Sequence, residues 1–398
     1  MNQKKVFIVF ALFISVSCSS KSGQQNGSLN YYARGNIEKA VEMMADSNDN
    51  SERALVFITK GKFIEALALE GNSRILLEYK SVAAWRAGRG DLMCQTVKRL
   101  RAFKQAPADL FQMAKITGCR RDFRRVVIKG GEVRFDPKFG IPIISVNISG
   151  NTYNFIFDTG AELTTVDEKL LKEMKVKTDP EAVVKVKSNV GVLEMPMGLM
   201  ESMIFAGVEI RDLPVIAANL SGFPAFLKIS GILSPSDILR GSTAELDYSK
   251  GTLRIANKPL KSGQNFFYPW GRAVIAVKAG VKNGPSALFR IDTGGRRSIF
   301  TKHYDNLMYS SPLWKTTSSE SRKVVGLKSG RRKIRAVLSP EICTTSTCIK
   351  FKSVLIDTTS ADSLITYGGK LGADAFRSRI LTMDYKSMKL TLTNSTVN

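Results

Sequence analysis

Histidine is almost absent from this sequence, since His303 is the single one among 398 residues. Ser-His-Asp and Cys-His catalysis both need an imidazole base, and histidine-rich metal centres need several such ligands. The sequence therefore argues against these chemistries and implies neither a metal nor an organic cofactor. Any hydrolysis by this chain has to rest on carboxylates or on another base.

The sequence also lacks, near its start, an apolar run long enough to cross a bilayer. Lys4 and Lys5 precede an apolar stretch over residues 6–16 that is typical of an export signal. The stretch ends in Ser15-Val16-Ser17-Cys18, which resembles a bacterial lipoprotein cleavage site with Cys18 as the lipidated residue. An ordinary secretory signal is the alternative. Both predict export, and the first predicts a lipid anchor in the bacterial envelope, facing the periplasm or the cell surface.

Cysteine is scarce as well, with five in the chain. Apart from Cys18 they form an even set of Cys94, Cys119, Cys343 and Cys348, which in an oxidising compartment suggests two disulfides. Cys343 and Cys348 could staple a tight turn, and Cys94 and Cys119 could tie two helices together. Buried free thiols are the alternative.

Acidic residues are outnumbered, which gives a formal net charge of +24. Such a charge suits anionic surroundings such as lipid headgroups, nucleic acid or acidic polysaccharide, or it is a solvated basic surface. No zinc-finger, helix-turn-helix or RNA-binding signature accompanies the charge. The sequence therefore does not favour nucleic acid as a partner.

Proline is rare between Tyr31 and about Gly118, and the pattern there is helical. Residues 23–30 are small and polar and are expected to form a tether. After them, Ile37, Ala40, Val41 and Met44 recur at helical spacing. The segment Tyr31 to Ala40 resembles the helical turn of tetratricopeptide repeats, although Gly35 and Gly61 are only 26 residues apart. The region is expected to be either a platform for a protein partner or a helical cap on the next domain.

Beyond Arg125 the pattern changes to short β-branched runs separated by Gly, Asn and Asp, as in an all-β domain. The runs include Arg125 to Ile128, Ile141 to Val146 and Phe155 to Phe157. This region contains a motif twice, as Phe157-Asp158-Thr159-Gly160-Ala161 and as Ile291-Asp292-Thr293-Gly294-Gly295. An Asp-Tyr pair follows the motif aspartate by 89 residues in the first copy and by 92 in the second. Such agreement indicates a tandem duplication.

Asp-Thr-Gly after an apolar strand resembles the active-site loop of the pepsin-like and retropepsin-like aspartic proteases, here over about residues 130–395. The resemblance implies a mainly β, bilobed aspartic-protease fold made of two tandem β lobes. It implies that Asp158 and Asp292 are paired catalytic carboxylates that share one proton and activate water. Thr159 and Thr293 would form hydrogen bonds across the pseudo-twofold axis, and Gly160 and Gly294 would permit the tight turns.

The two copies depart from the family pattern at two places. Ser234 and Pro235 replace an apolar-Gly step, which predicts a different support beneath Asp158. Arg290, Arg296 and Arg297 lie near Asp292 in sequence; pointing inward they would favour its ionised form, and pointing outward they would favour acidic substrates. Segments 190–192 and 325–327 could be flap hairpins or ordinary turns.

These observations predict an exported aspartic endopeptidase that hydrolyses peptide or protein substrates. The expected domains are a signal at residues 1–22, an α-helical repeat-like domain at 23–124, a first β lobe at 125–260 and a second at 261–398. The alternative is a non-catalytic envelope protein that binds peptides in the same cleft. The distance between the two carboxylates discriminates between these functions.

Overall fold

The computed structural model describes residues 27–104, 106–188, 191–318, 320–325, 330–357 and 366–395, and two short strands near the start of the chain, β1 (Phe7–Ile8) and β2 (Phe13–Ile14). Cys18 lies outside the described residues. The fold is mainly β with a helical region at the N-terminal side, as the sequence predicts. Among the described residues, no helix has both the length and the apolar character needed to span a membrane.

Among the described residues, seven α-helices precede the strand that begins at Arg125. They are α1 (Gly27–Ala33), α2 (Ile37–Ala45), α3 (Asn50–Thr59), α4 (Phe63–Ala68), α5 (Arg74–Ala87), α6 (Gly90–Leu100) and α7 (Ala108–Thr117). Three short α-helices lie among the strands that the structure describes: α8 (Glu168–Glu173), α9 (Pro235–Ile238) and α10 (Lys302–Met308).

Local sequence accounts for where these helices begin and end. The Ser73 hydroxyl accepts the N–H of Leu76 and caps α5, whose end is marked by Gly88 at a φ of 72°. The predicted apolar stripe of α2 is buried. The expected tether over residues 23–30 is wrong in its second half, because α1 begins at Gly27 and Ser28 is buried with its hydroxyl donating to Glu52.

The described strands form three sheets. The first sheet contains β2, β3 (Arg125–Ile128), β5 (Ile143–Ile148), β6 (Asn151–Phe157), β7 (Thr165–Asp167), β8 (Thr178–Ser188), β9 (Gly191–Phe205), β10 (Val208–Ala218) and β11 (Ile229–Leu233). The second contains β1, β15 (Ala276–Val281), β16 (Ser286–Ile291), β17 (Ile299–Thr301), β18 (Glu320–Val325), β19 (Gly330–Leu338), β20 (Glu341–Thr344), β21 (Cys348–Lys350), β22 (Ser353–Asp357) and β23 (Tyr367–Leu371). The joining sheet contains β4 (Gly131–Arg134), β12 (Thr243–Asp247), β13 (Thr252–Ala256), β14 (Gln264–Asn265), β24 (Arg379–Asp384) and β25 (Lys389–Asn394).

The first and second sheets share one pattern of strand pairing around the Asp-Thr-Gly motifs. In the first, β6 pairs parallel with β11, β11 antiparallel with β7, and β7 parallel with β10. In the second, β16 pairs parallel with β23, β23 antiparallel with β17, and β17 parallel with β22. Equivalent strands therefore precede and support the two motifs.

The joining sheet takes strands from both halves of the β region, since β12 pairs antiparallel with β24. The repeated Asp-Tyr pair closes one hairpin in each half. Asp247 accepts the amide N–H groups of the two residues after Tyr248, and Asp384 does the same after Tyr385. A short carboxylate that caps a turn explains why aspartate occupies both positions.

The helical region contacts both halves of the β region. In the first half, Asp237 of α9 is buried and pairs with Arg86 and Arg124. In the second half, the Trp270 amide donates a hydrogen bond to the Tyr32 hydroxyl at 2.9 Å. These contacts favour the helical-cap interpretation and leave the partner-platform interpretation as a prediction.

Candidate active site

Asp158 and Asp292 begin two loops that leave their sheets in the same way. Asp158 follows β6 and donates its amide N–H to the carbonyl of Leu233 in β11 at 3.0 Å. Asp292 follows β16 and donates to Leu371 of β23 at 2.9 Å. Both loops are thus fixed at their first residue by the strand that runs parallel to them.

The two threonines lock the loops to each other. The amides of Thr159 and Thr293 each donate to the other threonine's hydroxyl, both at 3.1 Å. The Thr159 hydroxyl in turn donates to Ile291 O at 2.8 Å, and the Thr293 hydroxyl donates to Phe157 O at 2.7 Å. All four groups belong to buried residues, and this reciprocal network holds the two loops in register.

The glycines of the motif leave room for the carboxylates. A Cβ on Gly294 would lie 2.3 Å from Asp158 Cγ, which is closer than any real contact. A Cβ on Gly160 would lie 3.0 Å from Asp292 Oδ1 and 3.1 Å from Asp158 Oδ1. These two oxygens, one from each carboxyl group, are therefore no more than 6.1 Å apart.

Burial and mutual repulsion set the protonation of this pair. Asp158 is 0% exposed and Asp292 is 1% exposed. Burial, and after it the charge of Asp292, raises the pKa of Asp158 to about 8, while the amides of Gly160 and Gly294 and the charge of Lys370 act in the opposite direction. Asp158 is therefore a protonated acid at neutral pH, beside a second carboxyl group.

The oxygens of the two carboxyl groups differ in their hydrogen-bond partners. Asp158 Oδ1 accepts the Gly160 N–H at 2.7 Å. Asp158 Oδ2 and Asp292 Oδ1 are buried and have no hydrogen-bond partner among the described residues. Chemically, the pair can give a proton to one oxygen atom and remove a proton from another, which is acid–base catalysis by two carboxyl groups.

Sequence reasoning missed Lys370. Its ammonium donates a hydrogen bond to Asp292 Oδ2, and both side chains are buried. Asp292 is thus in contact with a cation that is not one of the three arginines named from the sequence. The available signal was the alignment of Gly369-Lys370-Leu371 with Gly231-Ile232-Leu233. A lysine there replaces an apolar residue.

The three arginines lie elsewhere around the second loop. Arg297 Nη1 is 4.0 Å from Asp374 Oδ2. Burial and the neighbouring charges of Arg377 and Arg297 lower the pKa of Arg296. The Arg290 guanidinium lies over the ring of Tyr367, 5.4 Å from its centroid. A preference for acidic substrates remains a prediction.

Ser234 and Pro235 preserve the support beneath Asp158 by a different donor. In the second sheet, the Ala373 N–H donates to Gly295 O at 2.7 Å. Pro235 occupies the equivalent position and has no N–H to donate. The Ser234 hydroxyl instead donates to Ala161 O, the equivalent carbonyl, at 2.8 Å. The predicted difference is therefore real, but the carbonyl keeps its partner.

Hairpins occur at both segments that could be flaps. β8 and β9 pair antiparallel up to Ser188 and Gly191, and β18 and β19 pair up to Val324 and Gly330. Residues 189–190 and 326–329, which join these strands, lie outside the described residues. Closure of the hairpins over a substrate remains a prediction.

The remaining sequence predictions concern cysteine and metal. Both disulfides are present, Cys94–Cys119 and Cys343–Cys348. The second joins residues that face each other in the β20–β21 hairpin. Within the described parts of the chain, no three His, Cys, Asp or Glu side chains are grouped so that they could hold a metal ion.

Two buried carboxyl groups thus lie in equivalent loops, an arrangement that suits acid–base chemistry. Residues 144–235 match the family model described as Aspartyl protease. The match begins in β5, includes Asp158, Thr159 and Gly160, and ends at Pro235, before the second motif. No curated protein matches the chain. The match and the mainly β fold support an aspartyl protease family, and with it a protease-type enzyme whose substrates are peptides or proteins.

Proposed function

We propose that this chain is an aspartic endopeptidase in which Asp158 and Asp292 hydrolyse peptide bonds. On this proposal the first and second sheets form the two lobes of a bilobed aspartic-protease fold, with the dyad where they meet. The observation that carries the proposal is the reciprocal bonding of Thr159 and Thr293, which joins the two loops that bear Asp158 and Asp292. Carboxylates held apart would instead have favoured a protein that only binds peptides.

The first step adds water to the substrate carbonyl. Asp292 accepts a proton from a water molecule held between the two carboxyl groups, and the water oxygen attacks the carbonyl carbon. Asp158, which is protonated at neutral pH, gives its proton to the carbonyl oxygen. The product is a neutral tetrahedral diol, and the pair keeps one proton with the two roles exchanged.

The second step breaks the C–N bond. Asp292, now protonated, gives its proton to the leaving nitrogen. Asp158 takes a proton from one diol hydroxyl as the carbonyl forms again. The products are a carboxylic acid and an amine, and both aspartates return to their starting protonation, so that no metal or organic cofactor is required.

A mixed peptide library tests this function when it is incubated with wild type, Asp158→Asn and Asp292→Asn between pH 4 and 9. We expect wild type to cleave and either substitution to lower the rate by roughly a hundred- to ten-thousand-fold, which is the contribution of one acid–base group. Asp212→Asn is the matched control, since Asp212 pairs with the exposed Arg120 and Arg125. Cleavage that persists in both dyad variants would overturn the proposal. Tight binding of uncleaved peptides by all three proteins would favour the binding-protein alternative.

We also propose that the protease is exported and lipid-anchored through Cys18. Two disulfides per chain support an oxidising compartment. Labelling of cells with a radioactive fatty acid tests the anchor, with Cys18→Ser as the comparison. Label that persists on the Cys18→Ser protein would contradict lipidation there.

A further inference from the structure

Lys370 is a buried cation at the centre of the candidate site. It lies on β23, opposite Arg290 of β16 and Ile299 of β17 in the strand register. Lys370 is 4% exposed, and its ammonium is bonded to Asp292 Oδ2. A lysine is almost never this buried without a partner of opposite charge, so the ion pair is what stabilises it there.

The equivalent position beside Asp158 is apolar. Ile232 of β11 is paired with Ile156 of β6, just as Lys370 of β23 is paired with Arg290 of β16. Ile232 is completely buried. The two halves of the site therefore have the same backbone arrangement but differ in charge. At this equivalent position, the Asp292 half has a lysine and the Asp158 half has an isoleucine.

A second difference between the halves makes room for the ammonium. Gly295 follows the second Asp-Thr-Gly, whereas Ala161 follows the first. A Cβ on Gly295 would lie 2.8 Å from Lys370 Nζ and 2.8 Å from Asp292 Oδ2. The missing side chain and the lysine thus fit each other, although they are 75 residues apart in the sequence.

We propose that Lys370 is a positioning residue that makes the dyad asymmetric, holding Asp292 as the carboxylate and leaving the shared proton on Asp158. The inference rests on the proposed peptidase function. A symmetric pair could exchange roles between turnovers, whereas the lysine assigns the acid to Asp158 and the base to Asp292.

Several charged or titratable groups surround this ion pair. Asp158 faces Asp292 across the site. Burial is the main cause that raises the pKa of Tyr248, and the charges of Asp292 and Asp158 raise it further. On the far side, Arg290 lies over Tyr367. Neither Arg290 nor Tyr248 differs between wild type and the variants below, so a change in pH dependence reports on Lys370.

The pH dependence of kcat/KM for Lys370→Met tests the proposal. Methionine keeps the length of the side chain without its charge. We expect the alkaline limb to move up, because the charge of Lys370 lowers the pKa of Asp158. Ile232→Met is the matched control and should leave that limb in place.

A measurement that does not depend on turnover separates this inference from the proposed function. Carbon-13 NMR of labelled aspartate carboxyl groups, assigned with Asp158→Asn and Asp292→Asn, shows which carboxyl group is protonated at each pH. We expect the proton to lie on Asp158 alone at pH 6 in wild type, and to be distributed over both carboxyl groups in Lys370→Met. Identical ionisation in wild type and Lys370→Met would overturn the role of the lysine, even if the protein is a protease. If wild type cleaves no peptide, the proposed peptidase function is wrong, but the NMR result still shows whether Lys370 determines which aspartate holds the proton.

Discussion

The burial of the Asp158 carboxyl group makes its ionised form unfavourable in the folded protein. Its pKa is raised from 3.8 to about 8, with burial as the largest cause. A group whose pKa rises on folding stabilises the folded state fully only below its unfolded pKa, and that contribution is lost as pH rises toward the folded value. The folded protein is therefore progressively destabilised by Asp158 between about pH 4 and pH 8.

Asp158→Asn should remove this pH dependence. We expect the variant to gain stability over wild type by about 1.4 kcal/mol for each pH unit across that window, although it loses activity. Urea unfolding of both proteins at pH 5 and pH 8 measures the effect, with Asp212→Asn as an exposed control. If wild type and Asp158→Asn differ in unfolding free energy by the same amount at pH 5 and pH 8, the assignment of Asp158 as the buried acid is contradicted.

Ser234 is the second residue whose role is local and specific. Its hydroxyl supplies the donor that Pro235 cannot give to Ala161 O. Ser234→Ala should leave a buried carbonyl unpaired and lower the unfolding free energy by about 1–3 kcal/mol, with a loss of activity from the displaced Asp158 loop. Thermal unfolding and peptide cleavage measure this, with the exposed Ser221→Ala as control. Unchanged stability and activity would show that the hydroxyl is dispensable.

At the scale of elements, the two disulfides should contribute unequally. Cys94 and Cys119 are 25 residues apart and tie α6 to the end of α7, whereas Cys343 and Cys348 are 5 apart. Loop-closure entropy predicts losses of about 3.5 and about 2 kcal/mol when each pair is replaced by serine. Urea unfolding of the two double variants tests this order. A larger loss of unfolding free energy for the Cys343–Cys348 pair would contradict it.

Much of the strand framework could be predicted because the sequence repeats itself. β-branched runs locate β3 and β6, and the two Asp-Thr-Gly motifs locate equivalent loops. The contact between Lys370 and Asp292 could not be predicted, because the two residues are 78 apart in sequence and only the strand register brings them together. The start of α1 was missed because Gly27 and Ser28 favour no helix locally, and the Ser28–Glu52 hydrogen bond is a tertiary contact.

At the scale of the whole molecule, the helical region is joined to the β region through buried charge. Asp237 is 2% exposed and lies between Arg86 and Arg124. Asp237→Asn should leave two buried guanidinium groups without their counter-ion and cost about 3–5 kcal/mol. Chemical unfolding measures this against Asp212→Asn, which removes an exposed ion pair and should cost under about 1 kcal/mol. Equal effects would mean that the two regions are not coupled through this cluster.

The central claim is that one proton shared by Asp158 and Asp292 drives peptide hydrolysis. The most direct measurement is kcat/KM of wild type on a cleaved peptide from pH 4 to 9, beside Asp158→Asn and Asp292→Asn. The account predicts a bell-shaped profile for wild type, with an alkaline limb near the pKa of about 8 for Asp158, and loss of the rate in both variants. No turnover at any pH, or a wild-type profile retained by either variant, would contradict it.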